Sequence, residues 1–262
     1  MVALSVIGAL ALAAPGLPGV LVLGAGLAVA IPVCVALGLL IERVAYRPLR
    51  HAPRLAPLIT AIGVSIILQN IAMLIWGKQY IPFPAILPQA RHTVYGASIT
   101  NVQIAILLLA TGIMLTLILV VRKTRLGRAM RATAQSRQVA SLMGVDVNRV
   151  IAATFAIGSA LAAVAGVMVS AYYGLAHYYM GFLLGLKAFS AAVLGGIGNL
   201  AGAMLGGLLL GLIESFGAGY IGDLTGGFLG SNYQDVFAFF VLITVLVFRP
   251  SGLLGVRGGE RA

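Results

Sequence analysis

Apolar residues come in long runs along this chain, separated by short polar stretches. A helix needs about 20 apolar residues to cross a hydrocarbon core about 30 Å thick. Runs at 19–41, 57–76, 102–121 and 150–173 meet that length, and a shorter one lies at 234–248. Between 182 and 216 a long apolar stretch is broken at Gly195-Gly196-Ile197-Gly198-Asn199. The glycines predict a tight turn that joins 182–197 and 199–216 as a hairpin. Either both halves cross fully or they form a re-entrant pair, which needs cover from protein or a water-filled cavity. Residues 2–14 form a run of only 13 before Pro15, too short to cross at 1.5 Å of rise per residue. The predicted fold is an all-α integral membrane protein, a polytopic bundle of about seven or eight spans. It forms one transmembrane domain over 1–262, with a glycine-broken hairpin at 182–216.

The polar stretches give that bundle an orientation. Residues 42–56 hold Arg43, Arg47, Arg50 and Arg54, 122–149 hold Lys123 and six arginines, and the tail from Arg249 holds three. Short cytoplasmic loops carry the excess of Lys and Arg, so these three regions are predicted to be cytoplasmic. The opposite side has Lys78 and Arg91, and the stretches 174–181 and 217–233 contain neither Lys nor Arg. The alternation is consistent if the 182–216 hairpin goes in and back.

Composition settles the class. Hydrophobic residues make up 61% and charged residues 9%, against about 25% charged in soluble domains. The 34 glycines suit membrane helices, where they let backbones approach closely. A net charge of +11 raises nucleic acid as a partner, but the bases sit in short stretches between apolar runs, without interleaved aromatics or a recognisable motif. No nucleic-acid partner is expected; membrane lipid is. The lone Cys34 cannot form an internal disulfide and reads as a packing residue. No Lys or Arg precedes the N-terminal apolar stretch, so it lacks the n-region of a signal peptide. There is no Walker motif, no HExxH and no metal-ligand spacing, and His51, His92 and His177 are scattered in or beside loops. Neither a catalytic centre nor a cofactor nor a metal site is expected.

The most informative stretch is RLGRAMRATAQSRQVASLMGVDVNRV, Arg125 to Val150. Ser136 can cap a short helix on which Val139, Ala140, Leu142 and Met143 are apolar, and Gly144 is a natural stop. Such a helix has two readings. It lies in the interface with its arginines on anionic lipid, or it docks into a groove of a partner protein.

The pattern RA…A…ASLMGV in 131–145 resembles the coupling loop of ABC importer permeases. The whole chain resembles the LivH-type permease subunit of the branched-chain amino-acid importer family. IERVAYRPLR (41–50), LITAIG (58–63) with Leu68-Gln69-Asn70, Leu126-Gly127-Arg128-Ala129 and GLKAFSAAVLGGIG (185–198) carry the resemblance across nearly the whole chain. Each is weak alone; together, in this order, they are specific. Two departures stand out. Relatives usually begin with a further helical segment and an Asn-Phe-Ala-His-Gly stretch, so the N-terminus is expected to be truncated, a misplaced start being the preferred explanation. Ser136 stands where relatives often have Asp or Asn, and it still caps a helix.

The resemblance implies a permease that binds no ATP itself, in the bacterial inner membrane. Its partners would be a second homologous permease subunit, two cytoplasmic ATPase subunits and an extracytoplasmic amino-acid-binding protein. Arg131, Ala132, Ser136, Ala140, Leu142, Met143 and Gly144 would then form the ATPase-coupling loop. Polar residues inside spans are few. Gln69, Asn70, Lys187 and Glu214 are candidates for the translocation path. Lys187 and Glu214 both lie toward the outer end of the hairpin, where an ion pair is geometrically plausible. Gly158, Ala162 and Gly166, and Gly202 and Gly206, recur every four residues, the small-xxx-small pattern of close helix packing. Competing readings are a urea or short-amide permease of the same family, an ATPase-independent secondary transporter or channel, and a structural scaffold. The second would show more intramembrane carboxylates or an inverted repeat; the third would not need the loop.

Overall fold

A computed structural model describes residues 1–13, 18–53, 56–84, 91–94, 97–196, 198–224, 234–249 and 251–255. They fall in two compact units, Met1–Gly181 and Phe182–Ala262. The sequence predicts a single domain; each unit has its own packing.

The first unit opens with α1 (Val2–Ala13) and α2 (Gly19–Ile41). Ile7 of α1 is 0% exposed, at the heart of a cluster with Ala3, Leu4, Val22, Ala30, Phe83, Val167 and Ala176. Beyond α2 the backbone widens into a π-helical turn, Glu42–Tyr46, then tightens into a 3₁₀ turn, Pro48–His51. α3 (Ala56–Trp76) carries a proline at its second position, where the missing N–H costs nothing. A short strand β1 (Ile81–Pro82) and a hairpin of β2 (Arg91–Val94) and β3 (Ala97–Thr100) follow. α4 (Asn101–Lys123) starts at a capping box, in which Thr100 accepts from the Gln103 N–H and the Gln103 side chain accepts from the Thr100 N–H. Two short helices, α5 (Arg125–Gln135) and α6 (Arg137–Leu142), lead to α7 (Val147–Tyr173). Gly174, at φ +68°, ends α7, and β4 (Leu175–Ala176) pairs antiparallel with β1. α2 and α7 pack closely: Gly38 backs onto Ser159, and the rings of Tyr46 and Phe155 stand 5.1 Å apart.

The unit has two chemically distinct ends. Arg50 of the first basic stretch meets Asn148 at the start of α7. At the other end β1 lies on β4, and the His177 ring reaches the Lys78 carbonyl at 3.2 Å. The two arginine-rich stretches of this unit thus share one end and the 174–179 loop occupies the other, the alternation that charge predicts for this part of the chain.

The second unit holds α8 (Met180–Gly195) from its third residue onward, α9 (Leu200–Leu224) and α10 (Gln234–Phe248). The predicted break falls between α8 and α9, with Gly196 and Gly198 at φ +109° and +92°. The chain after α10 returns to this turn. The N–H groups of Leu253 and Leu254 donate to the carbonyls of Leu194 and Gly195 at 2.9 and 3.0 Å, and the Asn199 side chain donates to the Leu254 carbonyl at 2.9 Å. Carbonyls that the end of α8 would leave without partners are satisfied this way.

Among the described residues, five helices are long and apolar enough to cross a membrane: α2, α3, α4, α7 and α9. α8 and α10 are apolar but shorter. α3 and α4 bury no residue within the chain, and apolar surface of that kind is stable against lipid rather than water. The chain is an all-α polytopic membrane protein, and the predicted spans coincide with these helices to within a few residues, except that α9 runs eight residues beyond the predicted 216. The two small sheets were not predicted, although Thr93 and Val94 of β2 and Ile99 and Thr100 of β3 are residues that favour strands.

Candidate coupling site

The basic loop is a folded device. Thr124 serves two helices: its hydroxyl donates to the Val120 carbonyl at the end of α4 and accepts from the Gly127 N–H, at 3.0 Å, at the start of α5. Gly127 then lies directly on α4. A Cβ there would stand 2.2 and 2.4 Å from the carbonyl oxygens of Val121 and Val120, so only glycine lets α5 fold back this tightly. Arg131, one turn further on, donates to the Val121 carbonyl, placing a cation on the negative end of α4. Arg125 and Arg128 remain exposed, while Thr133 on the inner face is buried with no partner for its hydroxyl among the described residues.

Ser136 breaks the chain between α5 and α6. It accepts the N–H of Val139 at 3.3 Å and so caps α6, and its own N–H donates to the carbonyl of Ala132 at 3.1 Å. α6 ends in a Schellman motif: the N–H of Val145 donates to the Ala140 carbonyl, that of Gly144 to the Ser141 carbonyl, and Gly144 sits at φ +79°. Both signals read from sequence are therefore in place. The four apolar positions divide. Ala140 is 3% exposed and faces the chain, whereas Leu142 and Met143 are 85% and 80% exposed, with Val139 beside them. Asp146 next caps α7, accepting from the N–H groups of Asn148 and Arg149.

One polar cluster carries no signal in the local sequence. Glu42, at the end of α2, is 5% exposed and pairs with Arg50, whose other terminal nitrogen donates to Asn148 Oδ1. Arg43 and Arg47 are exposed and behave as the charge rule expects. Arg50 does not, and nothing local to its sequence marks the difference.

The other candidates fall in separate units. In the first, Gln69 donates to the Ser65 hydroxyl at 3.0 Å and Asn70 to the Ile66 carbonyl at 2.8 Å, so each is held within α3. In the second, Lys187 and Glu214 form the expected ion pair, 3.1 Å apart across the hairpin. The small-residue ladders also part company. A Cβ on Gly202 would lie 2.4 Å from the Gly195 carbonyl oxygen, and one on Gly206 2.1 Å from that of Ala191. Those two residues hold α9 against α8. Gly158, Ala162 and Gly166 form an exposed stripe on α7, and added side chains at the two glycines would meet nothing within 4 Å. Among the described residues no three His, Cys, Asp or Glu side chains gather as metal ligands.

Known proteins resemble the chain over most of its length. The family model described as "Branched-chain amino acid transport system / permease component" matches residues 1–246. The high-affinity branched-chain amino acid transport system permease protein BraD of Pseudomonas aeruginosa is 48% identical over 93% of this chain and 78% of its own length. LivH of Escherichia coli K12, a permease protein of the same description, is 45% identical over 90% of this chain and 76% of its own. The probable branched-chain amino acid permease LivH of Methanocaldococcus jannaschii is 31% identical over 55% of this chain and 45% of its own. No solved structure matches. By the extent of the family match and the identity to BraD and LivH, the chain belongs to the branched-chain amino acid transport system permease family.

Proposed function

We propose that this chain is the membrane-spanning subunit of an ATP-driven importer for branched-chain amino acids in the inner membrane. Its two units act as one permease domain beside a second, similar permease subunit. Two ATPase subunits bind below the pair, contacting this chain at residues 132–145, and an external binding protein delivers the amino acid. The observation that carries the reading is identity of 45–48% to BraD and LivH over nine-tenths of the chain. The loop's shape supports it: Val139, Leu142 and Met143 make an apolar tip on a rigidly capped support, the form a groove on a partner would take. ATP binding elsewhere shifts the permease only through contacts that differ between its two states, and that tip offers them.

The test is reconstitution in proteoliposomes with the second permease subunit, the ATPase subunits and the binding protein of the same importer. Expected is ATP-dependent uptake of labelled leucine, isoleucine or valine, with urea neither carried nor competing. Uptake of urea or short amides instead would move the substrate to the rival reading. Uptake without ATPases would refute the importer.

A further inference from the structure

We infer that Arg50 is a positioning residue that makes α2 and α7 answer together to movement of the loop 137–146, through a polar clamp of Glu42, Arg50 and Asn148. The inference rests on the coupling role proposed for that loop.

Arg50 uses the two terminal nitrogens of its guanidinium on two different elements, 98 positions apart in one case and eight in the other. One nitrogen holds Glu42, where α2 passes into the π-helical turn, and the other holds Asn148 in the first turn of α7. The planar fork sets these two contacts in fixed relation, which a lysine cannot do. Asn148 is also tied to the loop, since its N–H donates to Asp146, two residues beyond the Gly144 turn. A displacement of Leu142 and Met143 therefore reaches Asn148 through a short, hydrogen-bonded path, and Arg50 passes it to α2. In the π-helical turn the Arg47 N–H donates to the Glu42 carbonyl at 2.8 Å, and such single wide turns occur mostly at functional positions in helices.

The burial of the pair fits a part that must keep its geometry. Glu42 and Arg50 side chains are 7% and 16% exposed, and a buried ion pair contributes little net stability while fixing one arrangement. The contact between Asn148 and Arg50 can be removed without touching that pair.

The test uses the complete complex in proteoliposomes, comparing labelled leucine taken up per ATP hydrolysed. Asn148→Ala is expected to assemble in wild-type amount and hydrolyse ATP within about twofold of wild type, while uptake per ATP falls about tenfold. Asn148→Asp, which keeps the acceptor oxygen for Arg50, is expected to restore the ratio. A wild-type ratio in Asn148→Ala would overturn the clamp, as would loss of assembly in Asn148→Ala together with no rescue by Asn148→Asp. Gly144→Glu in the same assay separates the two levels. If it uncouples while Asn148→Ala does not, the clamp alone fails; if neither uncouples, the role of the loop fails with it.

Discussion

Lys187 and Glu214 show what a single pair contributes inside a membrane protein. An ionised side chain at that depth is stable only when it is paired or reaches water. Here the two face each other across the α8–α9 hairpin. Reversing one charge leaves two like charges in partly buried positions, a loss of roughly 1–3 kcal/mol after allowing for residual solvent contact. Lys187→Glu and Glu214→Lys are each expected to lower the yield and melting temperature of the extracted protein. The double exchange should recover most of both. A double mutant no better than either single would remove the pair from the account.

Elements differ in how plainly the sequence announces them. Capping is local, so Ser136 and Gly144 could be placed from neighbouring residues alone, and the structure finds both at the ends of α6. The hairpin break was legible for the same reason, because glycines at positive φ leave few alternatives. The closure of that turn by Leu253 and Leu254 was not legible, since both act through backbone N–H groups and carry ordinary apolar side chains. Arg50 was hidden differently. It sits among three other arginines in 42–56, and its second partner is distant in the chain. The apolar pattern of α6 gave four positions but not their direction; only the fold-back of α5 shows Ala140 inward and Leu142 outward. Gly144 tests this element. Alanine there pays about 1–2 kcal/mol for the left-handed backbone, while glutamate adds a charge beside the apolar tip. Gly144→Ala is expected to keep leucine uptake per ATP within about twofold. Gly144→Glu should lower the ratio about tenfold or more. Equal ratios in the two variants would show that the tip is not a contact surface.

At the scale of the molecule, charge and apolar length act on separate parts. Long apolar helices fix where the chain resides, and the two arginine-rich stretches of the first unit gather at one end of it. One of those stretches also builds the folded loop, in which α5 lies against α4 and the Leu142–Met143 tip of α6 is exposed. The lipid-like surface of α3 and α4, with no residue buried in the chain, agrees with a bundle completed by other subunits as well as by lipid. On this account the tip of α6 is the surface through which ATP hydrolysis is felt. The most direct measurement is photo-crosslinking from a reactive side chain placed at Leu142 in the assembled, transporting complex. An adduct with an ATPase subunit, its yield changing when ATP is added, is the expected result. Adducts with lipid alone, in a complex that still imports leucine, would contradict it.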